Sequence, residues 1–285
     1  MSSQAYRLEK PDNRSSSVVF ASPHSGREYP WSFLRKSVLD ERTIRSSEDA
    51  FVDLLFEDAP SMGAPLLAAQ VPRAFIDVNR SPDELDPALI EGVKKSAHNP
   101  RVASGLGVVP RVVANGRAIY RGKLTRKEAD ARLRLYWEPY HVALDRLLKE
   151  SLDLFDEAIL IDCHSMPHEA IESIVHPNGR PDIVLGDRFG AAAHPEIVDR
   201  IEHAFLVAGL KVVRNAPFAG AYVTQHYGRP SRAQHVVQVE IDRSLYMSEA
   251  HIRPNANFGT FRTLMRRVVG DIVEIGQKNL PLAAE

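Results

Sequence analysis

Two histidines and one glutamate stand where short apolar runs meet polar residues. Ser17-Val-Val-Phe-Ala21 runs into Ser22-Pro-His-Ser-Gly26, and Ala158-Ile-Leu-Ile161 runs into Asp162-Cys-His-Ser165. Each run is long enough for a buried strand and too short for a typical helix. In open α/β sheets chemistry gathers at the carboxyl ends of strands. His24 and His164, carried there on rigid backbone, suit a metal ligand or a general base. Glu240 lies between Val239 and Ile241, and a carboxylate in so apolar a run is costly without a partner or a task. Two His and a carboxylate are a usual ligand set for a catalytic zinc, which keeps a fourth position for water. No His-x-x-Glu follows His24, since Glu28 is four positions on, so the third ligand is expected elsewhere. Glu48 and Asp49 are the nearest candidates. A metal there would lower the pKa of its water, and Glu240 could move the proton to a leaving amine. Asn79 and Arg80, closing the run Arg73-Ala-Phe-Ile-Asp-Val78, suit a carboxylate clamp, the guanidinium by a bidentate fork.

Other readings stand beside these. Asp77 could cap a turn, Asp53 could lie on a solvated helix face, and Arg80 could be a surface ion-pair partner. Glu240 could be half of a buried salt bridge with Arg243 or another Arg. His168, His176, His194 and His203 read as surface or helix-cap residues.

The elements that must position these groups follow from apolar spacing. Strands are expected at Ser17–Ala21, Ala64–Val71, in the run ending near Val78, at Ala158–Ile161, Ile183–Leu185, Lys211–Arg214 and Gln234–Ile241. A helix is expected from Ser47 as N-cap, with Phe51, Val52, Leu55 and Phe56 as its apolar face. Thr125 to about Phe155 reads as a long amphipathic helix interrupted near Pro139; Leu133, Trp137, Tyr140, Leu144, Leu147 and Leu148 recur at helical spacing. Pro195–Ala208 and Phe258–Gln277 read as further helices, and Asn115-Gly116 between apolar runs signals a hairpin. Strands alternating with helices argue for an α/β three-layer sandwich around a mostly parallel or mixed sheet. With no repeat or linker, the 285 residues read as one domain, frayed over 1–15 and 280–285.

Bulk properties exclude several classes. A formal net charge of −1 favours neither nucleic acid nor an anionic membrane as partner. No window approaches eighteen uninterrupted apolar residues, so no membrane span is expected. The single cysteine, Cys163, forbids an internal disulfide. With no apolar signal segment at the N-terminus, a cytoplasmic location fits. Oligomeric state is open.

Five segments in order carry a resemblance: Ser22-Pro-His-Ser-Gly26, Arg73-Ala-Phe-Ile-Asp-Val-Asn-Arg80, Asp162-Cys-His-Ser165, Gly220-Ala-Tyr-Val-Thr224 with His226-Tyr-Gly228, and Gln238-Val-Glu-Ile-Asp-Arg-Ser-Leu-Tyr-Met247. Together they resemble the N-formylglutamate amidohydrolase family, which is similar in fold to zinc-dependent exopeptidases. The resemblance implies one divalent metal, zinc first, held by His24, Asp49 and His164. It implies Glu240 as general base, and Asn79 and Arg80 on a substrate carboxylate with Tyr222 and His226 beside them. It implies hydrolysis of a small molecule, N-formyl-L-glutamate, to formate and glutamate in histidine degradation. There are departures. Ala50 and Phe51 stand where members often carry an aromatic residue and a His, and Thr224-Gln225-His226 where they often carry Thr-Arg-His. A related N-acyl amino acid is therefore an alternative substrate. A zinc carboxypeptidase or aminoacylase, and an inactive small-molecule-binding homologue, are the alternative functions.

Overall fold

The computed structural model describes residues 4–94, 99–172 and 179–277. Seven strands form one mixed sheet: β1 (Tyr6–Glu9), β2 (Val18–Ser22), β3 (Leu66–Ala69), β4 (Ala158–Met166), β5 (Ile183–Gly186), β6 (Val212–Arg214) and β7 (Gln234–Asp242). Their order is β1-β3-β2-β4-β7-β5-β6. The central β3-β2-β4-β7 pairs are parallel, whereas β1 against β3 and β5 against β7 are antiparallel.

Side chains of a strand alternate between its two faces, and the core divides accordingly. Val18, Phe20, Ile159, Ile161, Val237 and Val239 face one layer, with the helices Val52–Leu55, Pro195–Val207 and Phe258–Ile275. Val19, Ala21, Leu160 and Val236 face the other, where the helix Glu138–Phe155 packs through Tyr140, Leu144, Leu147 and Leu148. A further apolar cluster, including Phe33, Phe75, Ile76, Val108 and Ile119, is built mostly from loops and short helices. The architecture is the expected α/β sandwich with a mixed sheet.

Several local expectations change. The head expected to fray before residue 15 contains β1, whose four residues pair with β3 and so have partners for their backbone polar groups. β4 continues past Ile161 through Met166, because β7 offers a matching parallel ladder along its whole length. The helix expected from Ser47 begins only at Val52, after Phe51 in the left-handed region at φ 67°. The Asp49 N–H instead reaches the His24 carbonyl, at 3.0 Å. Asp53 is not on a solvated face; it is buried, bonded by Arg27 at 3.0 Å and by Arg7 at 3.3 Å.

The run Arg73–Val78 is a loop rather than a strand. Its carbonyls are met by side chains of the long helical segment. Arg132 donates to Phe75 O at 2.9 Å, His141 to Val78 O at 2.8 Å and Trp137 to Arg80 O at 2.9 Å. That segment is Arg126–Arg132, a wider π turn over Leu133–Trp137, then Glu138–Phe155. Pro139 has no N–H to donate to the carbonyl four residues back, which fits the break there. The Asn115-Gly116 hairpin reduces to a single bridge, Val112 with Ala118. His176 and residues 280–285 lie outside the described residues.

Candidate metal centre

His24, Asp49 and His164 meet at the carboxyl ends of β2 and β4. One donor atom from each lies within 4.8 Å of the other two. His24 reaches the site because Ser25-Gly26 presses against the chain after β3: a Cβ on Gly26 would stand 2.1 Å from the Val71 carbonyl oxygen, so only glycine fits. Asp49 Oδ2 lies 2.9 Å from His164 Nδ1 and 3.4 Å from His24 Nδ1. His24 Nδ1 is buried without a hydrogen-bond partner.

The opposite ring nitrogens are held by carboxylates. His24 Nε2 lies 2.7 Å from Asp77 Oδ1 and His164 Nε2 lies 3.1 Å from Asp162 Oδ1. At His24 such a pair places the proton on Nε2 and turns the Nδ1 lone pair toward a cation. Asp162 went unrecognised as a partner in the sequence. Its signal was the Asp-x-His spacing, which on a strand puts both side chains on one face. Asp77 both caps the following turn, accepting from Asn79 N at 2.8 Å, and orients His24.

Of Glu48 and Asp49, Asp49 is the one grouped with the two imidazoles. Glu48 turns away to Arg45 at 3.0 Å and the Tyr29 hydroxyl at 2.6 Å. Asp49 Oδ1 is taken by Arg243 at 2.9 Å, which leaves Oδ2 toward the imidazoles. Arg243 therefore partners Asp49, and Glu240 is bonded by Gln238 Nε2 at 2.8 Å. Glu240 faces His164 directly across the β4–β7 ladder.

Electrostatics follow from burial and these partners. Burial alone would raise Asp49, but the bond from His164 and the neighbouring His24 hold it well below the usual carboxylate range. Asp77 is likewise held low by His24, Arg73 and Arg80 against the effect of burial. Burial would lower His164, yet Asp162, Asp49 and Glu240 hold it well above its ordinary value. Glu240 is pushed up to about 7, chiefly by burial and further by the charge of Asp49. Nitrogen and carboxylate donors, and one buried nitrogen without a partner, fit a divalent cation.

These residues line a cavity of about 600 Å³ together with Arg73, Arg80, Arg101, Ser165, Met166, Phe218, Gly220 and Gln238. Arg80 is buried and bonds only carbonyl oxygens, Leu106 O and Asn79 O, both at 3.1 Å. No carboxylate comes within 4 Å of its guanidinium among the described residues. Asn79 is already engaged: it accepts from Val223 N at 2.8 Å and sets its amide nitrogen 3.0 Å from His164 Nε2. Tyr222 and His226 stack on each other beside an adjoining depression, which Gln225 also lines, and do not line the cavity. His168 pairs with Asp242 at 2.8 Å, His194 precedes the helix Pro195–Val207, and His203 is exposed on it. Among the described residues no helix is long and apolar enough to cross a membrane.

Comparison with known proteins points to one family. The family profile of N-formylglutamate amidohydrolase matches residues 16–247. The crystal structure of N-formylglutamate amidohydrolase from Ralstonia eutropha JMP134 superposes with a TM-score of 0.89 at 35% identity, covering 95% of this chain and 98% of that one. N-formylglutamate deformylase from Pseudomonas putida is 29% identical over 81% of this chain and 82% of its own length. The deformylase from Pseudomonas aeruginosa is 28% identical over 90% and 91%.

Proposed function

The chain belongs to the N-formylglutamate amidohydrolase family, and from that premise we propose that it hydrolyses N-formyl-L-glutamate, or a close N-acyl amino acid, to the free acid and amine. The observation that carries this reading is the group His24 Nδ1, Asp49 Oδ2 and His164 Nδ1, gathered and buried on the cavity wall. We assign these three to a divalent metal, zinc by preference for this donor set. When bound, such an ion supplies an acidified water and an electrophile for the acyl oxygen.

The chain's own residues do the rest. Glu240, poised near neutrality and held by Gln238, takes the water proton and hands it to the departing amine nitrogen. Arg73, 3.0 Å from Asp77 and 4.0 Å from Asp49, supplies positive charge for the developing oxyanion. Arg80, a buried cation without a carboxylate, receives the substrate's carboxylate. Asn79 keeps His164 in place rather than gripping substrate. The same reading puts the enzyme in the cytoplasm, in histidine degradation; its single buried cysteine is compatible with a reducing compartment.

The test is metal analysis of the wild type and His164→Ala, with formate release from N-formyl-L-glutamate. We expect about one metal per wild-type chain, a large loss in the variant, and formate only from the wild type. Equal metal content in the two proteins, or no formate from metal-loaded wild type, overturns the assignment.

A further inference from the structure

Four guanidinium groups line the cavity, and they are not equivalent. Arg73 is bound to Asp77 and Arg243 to Asp49, so both are fixed beside the metal-site carboxylates rather than free for a distant ligand group. Arg80 and Arg101 have no carboxylate within 4 Å among the described residues. Arg101 sits in the four-residue helix Pro100–Ala103, where Asn99 caps its N–H at 3.0 Å. It lines both the cavity and the adjoining depression and is exposed. Its charge acts on Arg80: burial is the main reason the Arg80 pKa is lowered, and repulsion by Arg73 and Arg101 adds to it.

A ligand with one carboxylate would answer Arg80 and leave Arg101 unpaired at the rim. A ligand with two would answer both and relieve the repulsion between them. Among the described residues the rest of the cavity wall carries no further cation apart from the site histidines: Leu106, Pro110, Val112, Met166, Pro167 and Phe218 are apolar, and Ser46, Ser47, Ser104 and Asn115 are neutral polar.

Resting on the amide hydrolysis proposed above, we infer that Arg101 is the specificity-determining residue, binding the second carboxylate of a dianionic N-acyl amino acid while Arg80 holds the first. Arg101 touches the substrate away from the scissile amide, so it sets which side chain is accepted. Because the head group is exposed, its pairing is weaker than that of Arg80, and its removal spares the fold.

The experiment compares N-formyl-L-glutamate with N-formyl-L-glutamine, whose side chain has the same shape and no charge. The wild type is expected to favour the acid, and Arg101→Ala to cut the acid-to-amide ratio of kcat/KM by about 10- to 100-fold, mostly through KM. Arg101→Lys is expected to recover part of the ratio. A parallel fall of both rates with the ratio unmoved, or no preference in the wild type, overturns the inference. Calorimetry with L-glutamate against L-glutamine separates this from the activity itself. An Arg101-dependent preference for glutamate without turnover supports the subsite and sinks the proposed reaction. Turnover with a preference indifferent to Arg101 does the reverse.

Discussion

At their amino ends β4 and β7 bring Ile159, Leu160, Ile161, Val236 and Val237 together, all fully buried. At their carboxyl ends the same ladder carries Asp162, His164, Gln238 and Glu240, buried almost as deeply. Burial at the first end removes apolar area from water and stabilises the fold. Burial at the second strips water from charges and would be costly if they stood alone. It is tolerated because each charge has a partner: Asp162 by His164, Asp49 by Arg243, Glu240 by Gln238. One pair of strands thus carries a region selected for stability and a region selected for chemistry, and the two should respond oppositely to substitution.

The sharpest contrast is Glu240→Gln. It removes the proposed base and keeps the shape, so kcat should fall by about 10²- to 10⁴-fold. Its folded pKa of about 7 lies above the unfolded value near 4.5, so folding favours the protonated acid and that contribution is lost as pH rises from about 4.5 through about 7. The variant should therefore be at least as stable as the wild type at pH 8, measured by denaturant titration. A variant that is both unstable and active would erase the contrast.

Leu160→Ala probes the other end. Deleting a fully buried side chain should cost about 2–5 kcal/mol, while metal content and kcat per folded molecule stay close to wild type. Loss of metal at full stability would show that the two ends are not separable.

The mildest test is acidification. His141 donates to Val78 O and accepts from the Tyr227 hydroxyl, so it is held neutral, and burial lowers its pKa to about 4. Unfolded chain takes up a proton near pH 6.5 that the folded chain refuses. Stability should therefore drop by about 3 kcal/mol as pH falls from 6.5 to 4. His141→Gln should flatten that slope, and an unaltered slope would remove His141 from the account.

Much of the stable region was legible in the sequence, because apolar alternation is a local signal. β2, β7 and the long helix follow it closely, and so do the two histidines, one just beyond β2 and one in the carboxyl-terminal part of β4. What escaped depends on contacts between distant segments. Ser47-Glu-Asp looks like a helix start, but Asp49 is drawn aside by the His24 carbonyl and by Arg243. Arg73–Val78 looks like a strand because it is apolar, yet its carbonyls are satisfied by Arg132 and His141 from another element. Tyr222 and His226 occur in a motif next to Val223, whose N–H bonds Asn79, but their own side chains face the neighbouring depression. No local pattern states which way those rings turn.

The pairing of His164 with Glu240 also constrains how this gene can change. Side chains alternate along β7, so an indel of one codon ahead of position 240 would swing Val239 or Ile241 into the cavity and bury the glutamate among the aliphatic residues behind the sheet. Mutational drift in this stretch is therefore confined to replacements, whereas the surface connections elsewhere remain free to lengthen or shorten.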